Sequence, residues 1–579
     1  MNKPITVILL TIALIPAAPP VFAQDISRQA NSEIVKEFKT LISDQMQSKH
    51  LVGVGAALII GDSVVWKEGF GYADKDKNIP FTTQTVMNIG SITKPFTAMG
   101  IMQLDEKNLL DADKPLVDYL PQFRIRTRGT DIRDITVKSV IQHTSGIPNE
   151  ISQNAWAKNE NYTHTVDYLK DEYQAYPVNL CYHYSNVGYC LLGHTILKVS
   201  GQEYPDYIRD HILKPIGMNN SGFRDYSTLK NVCKTYDSTG IDVDLGKFRN
   251  IPAGGLYSSV DDMVKFAQEM IAVYHGKKGG ILKPETLKAF EIQNNDNIEN
   301  FNNCFAWTVF RNDSSLVIMH GGSNHLANSM ITIDLKRRCA IVFFVNTLGG
   351  QDLGNEAFGI FGNMSGITSA DYVHPWAYKN HQNDTISADL LKRYAGSYFY
   401  SGAGNVVKFE NDSMILNSVY GDFLLKAQTS EEFLPGIMYR RDSIKWLAKP
   451  RFIFNEIMGY QLLFWQDAKY KRQLLGHLEI QKEITETWKS RLGTYKLEGE
   501  ELIGWDKYTE VELSIAENNF LQLKIFYTSG EYSYFMHVEN NSELIFCGFG
   551  EPGGETIRFK KQGQDDLMIM RGSTFRKTR

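Results

Sequence analysis

Ser91 and Lys94 are the residues whose types and spacing could do covalent chemistry. In Ser91-Ile92-Thr93-Lys94 an alcohol and an amine lie three positions apart, so a helix would place them on one face. The amine can take the serine proton if burial or a nearby cation holds it neutral, and the serine oxygen then attacks a carbonyl carbon. The following apolar residues predict an amphipathic helix through Leu104 and Leu109, whereas a second S-x-x-K string at 227–230 runs into polar residues. We therefore take Ser91 as the candidate nucleophile.

Two later motifs could complete such a site. Tyr184-Ser185-Asn186 stands just before an apolar stretch typical of a buried helix, where a phenol is desolvated and held in one direction. His320-Gly321-Gly322-Ser323 ends a predicted strand, and its glycines would allow the backbone to come close to a ligand. The three motifs would bring an alcohol, an amine, a phenol, an amide and an imidazole together from distant parts of the chain.

The elements that must position these residues predict an α+β domain. A hairpin precedes Ser91, a mostly helical stretch runs from about residue 130 to 300, and three strands follow it. Ser258-Ser259 is a capping signal for a helix over 263–271. The predicted strands are 54–60, 64–69, 315–319, 327–333 and 340–345. Because strands at both ends enclose the helical middle, we expect one domain over 24–375 whose sheet is completed by distant segments.

Beyond a polar linker around 375–384 the chain predicts all-β structure. Short alternating segments with frequent turn residues are typical of antiparallel strands. The string Arg393-Tyr394-Ala395-Gly396-Ser397-Tyr398 is echoed by Arg491-Leu492-Gly493-Thr494-Tyr495. A repeat of this length would hold one small barrel, so we expect two antiparallel barrels, over 385–483 and 484–579. The alternative is one larger β-domain with a chance similarity.

The first residues predict export. Lys3, the apolar run after it and Val21-Phe22-Ala23 have the three-part form of a secretory signal peptide over 1–23. A membrane anchor is the alternative, but prolines interrupt the run and it is short for a bilayer. We therefore expect a soluble, periplasmic or secreted protein without a stable membrane span.

Composition and cysteine usage exclude several function classes. With a formal net charge of −5 the chain is not basic overall, and nucleic-acid binding would need a local basic patch, which the sequence does not show. No spacing of Cys, His and carboxylates resembles a metal site, so we expect neither a metal nor another cofactor. Cys181 and Cys190 flank the Tyr184 motif, and they could form a disulfide, but we favour buried thiols.

With these motifs in this order, the chain resembles the serine β-lactamase and penicillin-binding superfamily. The resemblance covers about residues 35–365 and is specific to the branch of class C β-lactamases, D-alanyl-D-alanine carboxypeptidases, D-aminopeptidases and related esterases. Further segments similar to that branch are Gln142-His143-Thr144-Ser145-Gly146-Ile147-Pro148, Pro215-Ile216-Gly217-Met218 and Pro252-Ala253-Gly254-Gly255-Leu256-Tyr257-Ser258. Two barrels after such a domain also resemble the D-aminopeptidase layout.

The resemblance implies roles for the candidate residues. Ser91 would form an acyl-enzyme, Lys94 and Tyr184 would carry its proton, and Asn186 would hold Lys94 and the substrate amide. A phenol titrates near 10 and acts as a base only beside a cation, so either Lys94 or Tyr184 could be the base. The backbone N–H groups of Ser91 and Ser323, beside Gly322, would form the oxyanion hole.

His320 departs from the familiar class C β-lactamases, which have a lysine at this position. A permanent cation favours an anionic substrate group, whereas histidine is largely neutral near pH 7. We therefore expect a D-stereospecific peptidase or D-alanyl-D-alanine carboxypeptidase that acts on peptide, amide or ester substrates, with peptidoglycan fragments among the candidates. An esterase or weak β-lactamase with the same site remains open, and so does a cell-wall-fragment receptor without efficient turnover. The sequence leaves the oligomeric state open.

Overall fold

The computed structural model describes residues 21–578, except for longer gaps at 293–302, 368–386, 441–450, 467–471 and 499–507 and gaps of one to four residues elsewhere. Residues 1–20 of the predicted signal peptide and the predicted linker at 375–384 lie outside the described residues. The signal peptide, the linker and the domain boundaries therefore stay predictions.

The N-terminal domain is built around one antiparallel sheet of eight strands. The strands of this domain are β1 (Gly53–Ile60), β2 (Ser63–Asp74), β3 (Ile79–Pro80), β4 (Val86–Asn88), β5 (Gly222–Phe223), β6 (Leu256–Ser259), β7 (Asn303–Cys304), β8 (Trp307–Arg311), β9 (Leu316–Ser323), β10 (Asn328–Asp334) and β11 (Cys339–Val345). The sheet order is β3-β2-β1-β11-β10-β9-β8-β7, and β4-β6-β5 form a small second sheet. Val54 pairs with Val345, so segments from the two ends of the domain complete one sheet, as predicted.

Helices cover both faces of the sheet. They are α1 (Val21–Ser48), α2 (Thr93–Glu106), α3 (Leu116–Tyr119), α4 (Val137–Ile141), α5 (Thr165–Leu169), α6 (Asn186–Ser200), α7 (Tyr204–Ile208), α8 (Lys214–Ile216), α9 (Ile251–Gly254), α10 (Val260–Tyr274), α11 (Pro284–Lys288) and α12 (Gln351–Ser365). One apolar core joins the sheet to α2, α6 and α10, and a second joins its other face to α1 and α12. In the described part of the chain, no helix is both long and apolar enough to cross a membrane.

The helix after Ser91 differs from its predicted amphipathic form. It begins at Thr93, after a 3₁₀ turn over Gly90–Ile92, and ends at Glu106. Every residue from Thr93 to Leu104 is buried, whereas Leu109 lies beyond the helix and is 56% exposed. The helix is therefore central to the core rather than at its edge, and the apolar pattern marks burial on all sides.

The C-terminal region forms two closed antiparallel barrels of eight strands each. Barrel 1 follows α13 (Ala388–Lys392) and contains β12 (Gly396–Tyr400), β13 (Ala403–Glu410), β14 (Ser413–Ser418), β15 (Gly421–Ala427), β16 (Glu432–Arg440), β17 (Arg451–Ile457), β18 (Tyr460–Gln466) and β19 (Arg472–Glu479). Barrel 2 follows α14 (Glu486–Ser490) and contains β20 (Gly493–Leu497), β21 (Tyr508–Ile515), β22 (Leu521–Tyr527), β23 (Gly530–Asn540), β24 (Glu543–Phe546), β25 (Thr556–Gln562), β26 (Asp565–Met570) and β27 (Ser573–Lys577).

The predicted repeat makes the same hydrogen bond in both barrels. Its tyrosines, Tyr398 and Tyr495, are fully buried, and each hydroxyl donates to the carbonyl four residues earlier, over 2.9 and 2.7 Å. Each copy starts its first strand at a glycine with positive φ, Gly396 and Gly493. The hydroxyl ties the strand to the turn before it, which explains why glycine and tyrosine recur at this spacing.

Both barrels pack against other parts of the molecule through apolar side chains. Phe399 of barrel 1 contacts Phe520 and Phe535 of barrel 2, with ring centroids 5.1 and 4.9 Å apart. Barrel 1 also packs on the segment 175–181 of the N-terminal domain, where Cys181 lies. None of the six cysteines, all within the described residues, forms a disulfide, so Cys181 and Cys190 are buried thiols.

Candidate active site

Ser91 and Lys94 meet at the start of the buried helix α2. The Lys94 ammonium lies 3.2 Å from Ser91 Oγ, and it also reaches Asn186 Oδ1 over 2.7 Å and the Ala253 carbonyl over 2.9 Å. Lys94 is fully buried, whereas Ser91 is partly exposed. Two arrangements satisfy these contacts: a charged amine donates to all three oxygens, and a neutral amine donates to two and accepts from the serine hydroxyl. The pair is therefore placed for proton exchange.

Both the oxygen and the nitrogen of the Asn186 side-chain amide are hydrogen-bonded. Ser185 caps helix α6 by accepting from the Gly188 N–H over 2.8 Å, which sets the first helical residue, Asn186, beside Lys94. Asn186 Nδ2 donates to Glu150 Oε2 over 3.1 Å, so its oxygen must face Lys94. The amide therefore works as an oriented acceptor for the lysine, with Glu150 behind it.

Glu150 is a site residue that sequence reasoning missed. Its other oxygen accepts from Asn250 Nδ2 over 2.5 Å. Burial raises the pKa of Glu150, although the Arg249 guanidinium and hydrogen bonds from Asn250 and Asn186 act in the opposite direction. Arg249 is itself buried and donates to the carbonyls of Ile151 and Gln153. A single glutamate in a loop carries no periodic signal, and only its place two residues after Pro148 hinted at the site.

Tyr184 lies between Lys94 and His143. The Lys94 ammonium is 4.5 Å from the centre of the Tyr184 ring. The centre of the His143 ring is also 4.5 Å from the centre of the Tyr184 ring. His143 Nδ1 accepts from the Ser185 N–H over 2.9 Å, which holds the imidazole in place. Burial, with a smaller contribution from Lys94, lowers the pKa of His143 well below its usual range. The phenol therefore stands beside one cation and against a neutral imidazole.

His320 is half-buried on strand β9, and its ring is held by its own neighbour. Nδ1 lies 2.6 Å from the Gly321 carbonyl, which can only accept, so the hydrogen resides on Nδ1 and Nε2 carries a lone pair. Burial and then the Lys94 charge lower the pKa of His320 to about 3. At neutral pH this position therefore presents an uncharged acceptor.

Two glycines bring strand β9 against the turn that carries Ser91. A Cβ on Gly322 would lie 2.0 Å from the Ile89 carbonyl, and one on Gly90 would lie 2.6 Å from the Ser323 nitrogen. Gly90 also has a φ of +51°, which disfavours any other residue there. The backbones of Ser91 and Ser323 are therefore neighbours, the arrangement that two N–H donors need to share one oxyanion.

The structure thus brings all seven predicted site residues to one region. They come from the 3₁₀ turn before α2 and the first turn of α2, from the residues that lead into α6 and its first residue, and from β9. The assembled groups suit acyl transfer. They are a partly exposed alcohol, a buried amine in contact with it, a phenol beside the amine, and the neighbouring backbones of Ser91 and Ser323. Among the described residues, no cluster of three His, Cys, Asp or Glu side chains could hold a metal ion.

Comparison with known proteins agrees with this geometry. The sequence model of the Beta-lactamase family matches residues 38–360, more than half of the chain. Protein flp of Staphylococcus aureus (strain MW2) is 27% identical over 328 residues, which cover 54% of this chain and 63% of that protein. The chain thus spans less than two thirds of this relative's length.

Solved structures share the fold over a longer range. The octameric penicillin-binding protein homologue from Pyrococcus abyssi superposes with a TM-score of 0.50 at 23% identity, covering 76% of this chain and 99% of that one. SurE superposes with a TM-score of 0.55 at 20% identity, covering 78% and 100%. From the match to more than half of its length, the chain belongs to the Beta-lactamase family, a family of serine hydrolases.

Proposed function

We propose that the protein is an exported serine hydrolase that cleaves amide or ester bonds of D-amino-acid compounds through an acyl-enzyme on Ser91. The observation that carries the proposal is the buried Lys94 amine, 3.2 Å from Ser91 Oγ and fixed by Asn186 and the Ala253 carbonyl. An amine held in this way can accept the proton that the serine must lose. The preferred substrates are D-amino-acid amides and peptides. D-alanyl-D-alanine ends are a second candidate class, in which the terminal carboxylate would need a partner other than the uncharged His320.

The reaction has two steps at one serine. Ser91 Oγ attacks the carbonyl carbon while its proton passes to Lys94 or Tyr184, and the oxyanion is held by the Ser91 and Ser323 N–H groups. The same proton then goes to the leaving amine or alcohol, and the carbonyl group stays on Ser91. In the second step water gives up a proton to the same pair and attacks the ester carbon, and the bond from that carbon to Ser91 Oγ breaks. The proton passes to Ser91 Oγ, which restores the hydroxyl, and the acyl group leaves as a carboxylic acid.

Two observations support D-amino-acid compounds as substrates over β-lactams. His320 is uncharged, with a pKa lowered to about 3, so this position offers a hydrogen-bond acceptor rather than a cation for a carboxylate. SurE, which shares the fold, has also been solved with D-Leu.

Export rests on the signal-peptide pattern of residues 1–23.

A covalent probe tests the proposal. The mature protein is mixed with labelled penicillin and with a serine-directed fluorophosphonate, and the adduct is located by mass spectrometry. We expect modification of Ser91 and none in Ser91→Ala. Turnover of D-alanyl peptides, D-amino-acid amides, simple esters and nitrocefin then identifies the substrate class. An intact Ser91 with every probe contradicts a hydrolase and favours a cell-wall-fragment receptor.

A further inference from the structure

The buried residue Asn149 links the segment that carries Tyr184 and Asn186 to barrel 2. The Asn149 carbonyl accepts from the Asn186 N–H over 2.9 Å, and its side-chain Nδ2 donates to the Tyr184 carbonyl over 3.0 Å. Its own N–H donates to Glu555 Oε1, in the loop between β24 and β25, over 3.0 Å. Asn149 is therefore hydrogen-bonded to the active-site motif on one side and to the barrel on the other.

Glu555 is buried where it makes this contact, and both of its carboxylate oxygens accept hydrogen bonds. It is 4% exposed, and its second oxygen accepts from Arg571 Nε, within the same barrel, over 3.1 Å. The neighbouring His183 lies 3.9 Å away and burial lowers its pKa to about 4, so the imidazole is neutral near pH 7. Arg571 thus supplies the compensating charge, and the carboxylate is fixed before it meets Asn149.

The backbone of barrel 2 lies close to residues 175–176 of the N-terminal domain at this point. Gly554 has a φ of +75°, and a Cβ there would lie 2.6 Å from the Ala175 carbonyl. The Tyr176 hydroxyl donates to the Gly548 carbonyl. Arg558 pairs with Glu172 over 2.6 Å, and both side chains are buried. These contacts seat the loop against the segment that leads into Tyr184.

We propose that Glu555 of barrel 2 is a positioning residue for the active site, acting through Asn149 on Tyr184 and Asn186. The contacts form one chain: Glu555 orients Asn149, Asn149 sets the start of helix α6, Asn186 orients the Lys94 amine, and Lys94 contacts Ser91. The domain outside the catalytic fold thereby completes the catalytic geometry. The inference rests on the proposed acylation of Ser91 and extends it to a residue far along the chain.

The test compares three variants of the full-length protein. Glu555→Ala removes the acceptor of the Asn149 N–H, and Glu555→Gln keeps an acceptor oxygen but loses the charge beside Arg571. Glu543→Ala is the matched control, because Glu543 lies in barrel 2 and contacts the same face through Tyr173, over 2.9 Å, without reaching Asn149. Thermal unfolding establishes that each variant is folded.

Acylation kinetics are the first measurement. The single-turnover rate constant for Ser91 acylation by a p-nitrophenyl ester should fall at least tenfold in Glu555→Ala, with substrate affinity changed by less than about twofold. Glu555→Gln should recover most of the rate, and Glu543→Ala should match the wild type. A wild-type rate in Glu555→Ala, or an equal loss in Glu543→Ala, overturns the proposal.

Hydrogen exchange separates this inference from the proposed function, since it needs no substrate. The Asn186 and Val187 amides both donate to the Asn149 carbonyl, over 2.9 and 3.3 Å. We expect peptides spanning 184–187 to exchange at least tenfold faster in Glu555→Ala than in Glu543→Ala. Unchanged exchange overturns the positioning role even where the wild type is a hydrolase. Faster exchange in a chain that no probe acylates upholds the contact and contradicts the hydrolase. Should Glu555→Ala fail to fold, the same comparison is made with Glu555→Asp, which shortens the arm by one carbon.

Discussion

At the scale of single residues, the active site depends on which atom of each amide and carboxylate faces its neighbour. Asn186 presents its oxygen to Lys94 only because its nitrogen is taken by Glu150. Glu150 in turn accepts from both Asn186 and Asn250, so it needs two acceptor oxygens. The orientation of the catalytic amine is therefore set by a carboxylate that does not touch the amine.

Replacing that carboxylate by an amide tests this dependence. In Glu150→Gln one acceptor becomes an NH₂ group that faces the NH₂ of Asn186 or Asn250, and a buried donor loses its partner. We expect a loss of about 1–3 kcal/mol in the free energy of unfolding and a fall of about tenfold in the acylation rate. Glu160→Gln is the control, since Glu160 also lies beside Arg249, at 3.9 Å, but accepts its hydrogen bond from Tyr168 rather than from Asn186 or Asn250. Equal rates in the two variants contradict the role given to Glu150.

His320 gives a prediction about pH. Because burial and Lys94 lower the pKa of His320 to about 3, the imidazole is already neutral above about pH 4 and gains no proton between pH 8 and 5. We expect kcat/KM against pH to have the same shape between pH 5 and 8 in the wild type and in His320→Gln. An inflection near pH 6.5 that disappears in His320→Gln would show instead that this histidine titrates in the free enzyme.

At the scale of elements, the contact between strand β9 and the Ser91 turn depends on one glycine of a pair. A Cβ on Gly322 would collide with the Ile89 carbonyl at 2.0 Å, whereas the nearest atom to a Cβ on Gly321 lies 4.0 Å away. We expect Gly322→Ala to lower the acylation rate at least tenfold, because the Ser91 and Ser323 N–H groups are pushed apart. Gly321→Ala should stay within about twofold. Burst kinetics with a chromogenic ester measure the acylation rate of both variants. Similar rates in the two variants would contradict an oxyanion hole formed by the Ser91 and Ser323 N–H groups.

Periodic and local signals predicted most of these elements. The hairpin, the three strands before residue 345, the Ser259 cap and the two barrels are confirmed, because alternation, capping and repetition are properties of neighbouring residues. The same local logic placed Leu109 in a helix that ends at Glu106, since an apolar residue just past a helix end looks like one more turn. Glu150 and Glu555 were missed because their partners depend on the fold. The Glu555 contact joins residues 406 positions apart, which no local pattern reveals.

At the scale of the whole molecule, a buried carboxylate joins the two barrels. Glu479 of barrel 1 contacts His477 over 2.7 Å and His537 of barrel 2 over 3.2 Å. Burial raises the pKa of Glu479, but hydrogen bonds from the two histidines outweigh it and lower the pKa to about 2. The carboxylate therefore stays charged at the junction down to strongly acidic pH.

This lowered pKa makes the barrel junction sensitive to acid. A carboxylate with a lower pKa in the folded state stabilises the protein above its unfolded pKa, near 4.5, and the stabilisation is lost as pH falls towards 2. We expect Glu479→Gln to be less stable than the wild type by about 1–3 kcal/mol at pH 6, with the difference shrinking between pH 4.5 and 2. Urea unfolding across this pH range measures it. A difference that is constant with pH contradicts the ionised junction.

The pairing of β1 with β11 also affects the order in which the chain can fold. Val54 finds its partner Val345 only when nearly the whole N-terminal domain is available for folding, whereas each barrel strand, apart from the closing pair, joins the strand just before it in the sequence. Closing so long a loop is slow compared with forming local hairpins. Until β11 is in place, β1 is paired only with β2 and its other edge stays open. Destabilising changes in β11 should therefore reduce the yield of native protein more than equal changes in either barrel.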